Sequence, residues 1–151
     1  MIKKIVFFLV LLTFASCGYS PIHLKKNENS FIVKDFQLDG NKKIGRKIIT
    51  ALDIENEIDY KKKTYKLLIN SQNKIDALSK DGAGNIAVYK TTVIVGLELK
   101  EGEKTVKTKE FSANFTYNNI DNKFNLSQYQ KNIENNLTNK IIDEVKIFLD
   151  F

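Results

Sequence analysis

Hydrophobic and polar positions along the chain fall into two rhythms, one of period two and one of period three to four. Phe31, Val33 and Asp35 alternate with Ile32, Lys34 and Phe36, which predicts a short strand that Asp39-Gly40-Asn41 breaks. From Lys42 to about Asn56 the apolar residues Ile44, Ile48, Ala51 and Leu52 recur at helical spacing, with Asn41 placed to cap a first amphipathic helix. Tyr65, Leu67 and Ile69 then alternate with Lys66, Leu68 and Asn70, in a strand that runs on, more polar, to about Leu78. A turn cluster, Lys80 to Asn85, separates it from the clearest strand, in which Ala87, Tyr89, Thr91, Val93, Val95, Leu97 and Leu99 share one face. After a hairpin tip at Glu101-Gly102-Glu103, a fourth strand sets Phe111, Ala113, Phe115 and Tyr117 against Glu110, Ser112, Asn114 and Thr116.

Residues 118–125 read as a polar loop. Beyond it Leu126, Tyr129, Ile133, Leu137, Ile141, Val145 and Phe148 form one stripe of a helix of about six turns. Gln128, Lys131, Glu134, Asn135, Thr138 and Lys146 fill its polar side. The order is β-α-β-β-β-α. Two helices with single apolar stripes need one sheet face to cover. The expected fold is therefore α+β: a two-layer sandwich with a four-stranded, mainly antiparallel sheet covered on one face by two helices.

The amino terminus fits neither rhythm. Lys3 and Lys4 precede ten residues, Ile5 to Phe14, that are apolar apart from Thr13. A membrane-spanning helix needs about 20 apolar residues. A basic start, a short apolar core and the small residues Ala15 and Ser16 describe an export signal instead. Cys17 follows directly and is the single cysteine of the chain, so no internal disulfide can form. Phe14-Ala15-Ser16-Cys17-Gly18 resembles the lipobox of bacterial lipoproteins, with Phe14 where Leu is usual. That resemblance implies a signal peptide over residues 1–16 and a diacylglyceryl thioether on Cys17; the irregular stretch with the single proline, Pro21, reads as a tether over 17–30, and the length that remains as one folded domain over 31–151. Gly18 in place of the Asp that retains lipoproteins in the inner membrane implies the outer membrane, with the protein anchored on its periplasmic side or within a barrel lumen.

Charge narrows the chemistry further. Between His23 and Lys66 there are eleven Lys/Arg against seven Asp/Glu, whereas from Leu67 onward the two are equal. For an exported protein the anions that this excess would meet are lipid phosphates, not nucleic acid. His23, the single histidine, lies in the tether, away from any buried nucleophile. No His/Cys cluster suits zinc, and no metal or other cofactor is expected. Asp53, Glu55, Glu57 and Asp59 are spaced by two, which on a helix scatters carboxylates around the axis. Gly82-Ala83-Gly84 is short for a phosphate loop and lies between strands. An enzyme is not expected.

Two basic runs are left. Lys42, Lys43, Arg46 and Lys47 gather on one side of the first helix, away from Ile44 and Ile48. Lys61, Lys62 and Lys63 precede the second strand. Such runs often serve only as a solvated face; their functional reading is contact with lipid phosphates or an acidic partner.

The start Cys17-Gly18-Tyr19-Ser20-Pro21-Ile22, the β-α-β-β-β-α order, and Phe115-Thr116-Tyr117 followed by Ser127-Gln128-Tyr129 together resemble the lipopolysaccharide-assembly lipoproteins of the LptE type, in their alphaproteobacterial branch. The resemblance implies a non-enzymatic plug within an LptD-type outer-membrane β-barrel, which assists the assembly of lipopolysaccharide into the outer leaflet and binds lipopolysaccharide itself. From charge alone, Lys42, Lys43, Arg46, Lys47 and Lys80 are the candidate ligand contacts. The competing expectation is an auxiliary lipoprotein of a periplasmic lipid or solute ABC transport system. A hydrolase working through carboxylates is a third reading, which the scattered acids disfavour.

Overall fold

A computed structural model describes residues 31–54 and 63–149. The expected export signal, Cys17, the expected tether with His23, and Glu55, Glu57, Asp59, Lys61 and Lys62 lie outside the described residues. Six elements follow one another: β1 (Phe31–Gly40), α1 (Lys42–Ala51), β2 (Lys63–Lys80), β3 (Ile86–Glu101), β4 (Lys104–Asn118) and α2 (Lys123–Leu149). The sheet order is β1-β2-β3-β4. The β1–β2 pair is parallel, with α1 in the crossover, and the other two pairs are antiparallel hairpins. The sheet is mixed, and both helices pack against it, α1 over β1 and β2 and α2 over β3 and β4.

The layers meet where the two rhythms expose apolar faces. Leu67 and Ile69 of β2, Val93, Val95, Leu97 and Leu99 of β3, and Phe111 and Ala113 of β4 are buried. Facing them are Ile44 and Ile48 of α1 and Ile133, Leu137, Ile141 and Val145 of α2. Each such aliphatic side chain withdrawn from water contributes roughly 1.5–3 kcal/mol, which is what holds the helices to the sheet. Among the described residues no element covers the opposite sheet face. Gln72, Thr108, Glu110, Ser112, Asn114 and Thr116 are exposed there, with Leu68, Thr92 and Ile94 half-buried between them.

Several local details depart from the expected pattern. In β1 a bulge between Val33 and Asp35 resets the alternation, so that Phe36 and Leu38 stand beside Leu67 and Ile69. One extra residue moves every later side chain to the other face; Phe36 therefore shares the face of Val33, and Asp35 does not. The first helix ends at Ala51, five residues before Asn56, because Asp53 turns to a φ of 50°. That left-handed conformation stops a right-handed helix, and Asp tolerates it better than most residues. Asp53 is thus outside the helix. The last helix begins at Lys123, inside the expected loop, since the Asn122 side chain accepts the N–H groups of Phe124 and Asn125 at 3.0 Å each. It runs for 27 residues, longer than the stripe implies. Thr138, expected on its polar side, is buried; its hydroxyl donates to the Glu134 carbonyl at 2.7 Å and so needs no water. Phe115, expected in the core, is 47% exposed, because it stands on the edge strand and covers only one flank of Tyr117.

Candidate functional site

The basic run of α1 begins at a well-made cap. Asn41 Oδ1 accepts from the backbone N–H of Lys43 at 3.2 Å and of Ile44 at 3.4 Å. The lysines that follow oppose the helix dipole at this end, and the structure divides them by use. Lys43 reaches across to α2, where its Nζ lies 3.1 Å from Glu134 Oε1. Lys47 donates to the Asn135 carbonyl at 3.3 Å and to Asn135 Oδ1 at 3.4 Å. Lys42 and Arg46 point to solvent and form no ion pair among the described residues. The four cations share one helix, but two of them act as struts between the helices.

The strut has a third member that no spacing in the sequence marks. Glu134 is only 14% exposed, and its second oxygen accepts from Asn73 Nδ2 of β2 at 2.5 Å. One carboxylate therefore joins α1, α2 and the sheet. Asn73 Oδ1 is buried beside it with no hydrogen-bond partner among the described residues, a costly position for an amide oxygen. On the polar stripe of α2, Glu134 is indistinguishable from its solvated neighbours until β2 and α1 are in place.

Lys80 is not part of this group. It stands at the far end of β2, nine residues past Ser71, the point where β1 ends and α1 begins. At about 3.3 Å per residue that is a separation of roughly 30 Å. Of the second basic run only Lys63 is described; its Nζ lies 3.2 Å from Glu101. The carboxylate that accepts its hydrogen bond also attracts its charge, and holds the ammonium above its ordinary pKa.

Between α1 and α2 lies an open cleft of about 400 Å³ lined by Lys47, Thr50, Ala51, Asn139, Ile142 and Asp143. It offers one cation, one carboxylate and two uncharged polar groups, a mixture with no preference for a purely anionic ligand. The Gly82-Gly84 turn is closed to phosphate as well: the Asp81 carboxylate already takes the N–H groups of Ala83 at 2.9 Å and Asn85 at 2.8 Å. A second anion there would meet that negative charge. Among the described residues no three His, Cys, Asp or Glu side chains come together as a metal site, and no helix is long and apolar enough to cross a membrane.

A further group lies near the start of α2. Tyr117 stacks with Tyr89 at 5.8 Å, meets Tyr129 edge-on at 5.6 Å, and exchanges a hydrogen bond of 3.0 Å with Thr91. Period-two spacing marks Tyr89, Thr91 and Tyr117 as core in the sequence and the helical stripe marks Tyr129; Thr91 and Tyr117 are buried, and Tyr129 is left exposed at the margin.

No protein-family model matches the chain, and no curated protein sequence does. Solved structures do resemble it. The rare lipoprotein B of Shewanella oneidensis superposes with a TM-score of 0.56 at 14% identity, over 78% of this chain and 99% of that one. A minor lipoprotein from Acinetobacter baumannii gives 0.56 at 9% identity, over 79% and 92%. Lipoprotein B from Nitrosomonas europaea gives 0.54 at 9% identity, over 80% and 84%. At such identities the likeness is one of fold: this chain has the fold of a group of bacterial lipoproteins.

Proposed function

We propose that this chain is a non-enzymatic, lipid-anchored subunit of the outer membrane, held by Cys17, which plugs an LptD-type β-barrel and assists it in assembling lipopolysaccharide into the outer leaflet. The observation that carries the reading is the one-sided sandwich. Among the described residues the helices cover one sheet face, while the other is a polar field in which Gln72, Thr92, Ser112, Asn114 and Thr116 stand among Lys66, Lys74, Asp76, Lys90, Glu98, Lys100 and Glu110. A barrel lumen is polar and is filled by water or by an inserted element; a polar face with charges of both signs suits such a wet wall, where those charges stay hydrated. The lipobox at Cys17 and the shared fold with solved lipoproteins support the same reading.

Lipopolysaccharide would be met by cations able to make charge-assisted bonds to phosphate. Lys42 and Arg46 are available for this, Lys43 and Lys47 only by giving up Glu134 and Asn135, and Lys80 as a separate contact at the hairpin tip. The test is affinity capture of the chain from membranes in mild detergent, read by mass spectrometry. A large outer-membrane barrel in equal amount supports the proposal. Recovery of an inner-membrane ATPase complex, or of no barrel, overturns it.

A further inference from the structure

Beyond Ser71 the second strand loses its neighbour. Gly40 is the last residue of β1, paired with Ser71, and its φ of 71° turns the chain out of the sheet into the cap of α1. A Cβ at Gly40 would lie 2.2 Å from the Ser71 carbonyl oxygen, so only glycine fits this exit. Asn41 N–H takes that carbonyl at 2.6 Å as the last bond across the β1–β2 seam. Among the described residues, Gln72 to Lys80 pairs with β3 alone.

The direction of each backbone group follows from that last bond. In a strand the N–H and C=O of one residue point to the same side, and successive residues alternate. Since Ser71 faces β1, so do Asn73, Ile75 and Ala77, while Gln72, Lys74 and Asp76 bond to β3. Three N–H and three C=O groups therefore line the vacated row, and no backbone partner for them exists among the described residues.

Edge strands that stay single are usually guarded by charge, by Pro or by a bulge. Here the first irregularity falls between Ala77 and Ser79, past the three open residues. The ammonium of Lys74 is occupied by Asp76 at 3.0 Å. Ile75 and Leu78 are 43% and 53% exposed beside the edge. Along the first half of the other border, Lys104 and Glu110 stand exposed on β4, while Lys107 and Lys109 fold over Phe148 and Phe111.

We infer that the open edge of β2 at Asn73, Ile75 and Ala77 is a strand-addition site, which takes a short extended segment of a partner protein into the row that β1 vacates. The segment is about five residues long, set by the span from Asn73 to Ala77 at roughly 3.3 Å per residue. Its apolar residues alternate, to cover Ile75. It carries acidic side chains on the other face, where Lys74, Lys80 and Lys90 outnumber Asp76. A second copy of this chain fits poorly, because its own hairpin tip would run on into Gly40 and Asn41. The inference rests on the sheet alone and stands or falls apart from the barrel proposal.

The test uses the isotope-labelled full chain in mild detergent. In the free protein the amides of Asn73, Ile75 and Ala77 should exchange with solvent far faster than those of Gln72, Lys74 and Asp76; equal protection overturns the inference. A blocked peptide of about seven residues alternating valine and glutamate is then titrated. Expected is saturable binding with a Kd on the order of 0.1–1 mM, with shifts and slowed exchange at those three amides. Shifts confined to Ser112, Asn114 and Thr116 on the β4 edge, binding undiminished when every peptide amide is N-methylated, or no binding, overturns it. Ile75→Pro removes an N–H that no strand uses, so the sheet should stay folded while peptide binding falls at least tenfold. Loss of the β2–β3 ladder in this variant overturns the assignment of edges.

Discussion

Lys43 and Glu134, 91 positions apart in the chain, meet at 3.1 Å and tie α1 to α2. The two partners are not equivalent. Lys43 is 69% exposed and regains water when the pair breaks, whereas Glu134 is largely enclosed and also receives Asn73. Lys43→Ala should therefore cost about 0–1 kcal/mol. Glu134→Ala strips the Asn73 amide of its partner and should cost about 1–3 kcal/mol. Urea unfolding of both variants checks the order; equal losses would contradict this geometry.

Gly40 should be intolerant of any side chain. Gly40→Ala forces a Cβ onto the Ser71 carbonyl and strains a left-handed backbone, a loss of at least about 2 kcal/mol. A Cβ at Gly82 meets nothing within 4 Å, so Gly82→Ala should stay within about 0.5 kcal/mol of the parent. Thermal melts of the pair distinguish a specific exit turn from a general dislike of alanine.

Thr91 and Tyr117 share a buried hydrogen bond of 3.0 Å. Thr91→Val leaves the tyrosine hydroxyl unpaired and should cost about 1–3 kcal/mol, as Tyr117→Phe leaves the threonine hydroxyl unpaired. The double variant removes both polar atoms and should cost less than the sum. Additive losses would mean that the hydroxyls do not bond to each other.

Acid should loosen the first hairpin tip. The backbone N–H of Asn85 is the main influence on Asp81, with those of Ala83 and Gly84 adding to it, and together they hold its carboxyl below the ordinary aspartate range. A carboxyl depressed in the folded state contributes stability that is complete above its unfolded pKa and is lost as pH falls through the folded value. NMR titration should give Asp81 a lower midpoint than a free aspartate, with the Ala83 and Asn85 amides shifting at the same pH. An ordinary midpoint with silent amides would refute the turn.

Cys17→Ser removes the thiol that the lipobox resemblance marks for acylation. The variant should leave the membrane fraction for the soluble one and lose the mass of the lipid, with the fold of residues 31–54 and 63–149 unchanged by circular dichroism. Retention in the membrane would assign the anchor elsewhere.

Chain periodicity was enough for the main outline because burial imposes it. Alternation over Tyr89–Leu99 and the stripe from Ile133 to Val145 each leave one apolar face, and two such faces have to meet. Neighbourhood in space has no such trace. The bulge after Val33 flips Phe36, the vacated row beside Asn73 opens because Gly40 leaves the sheet, and Glu134 finds Lys43 and Asn73 only once three elements are stacked. The basic helix shows the division most clearly. Spacing alone sets Lys42, Lys43, Arg46 and Lys47 on one helix; packing against α2 then makes braces of Lys43 and Lys47 and leaves Lys42 and Arg46 open to solvent, because a side chain's partner depends on what folds against it and not on its own spacing.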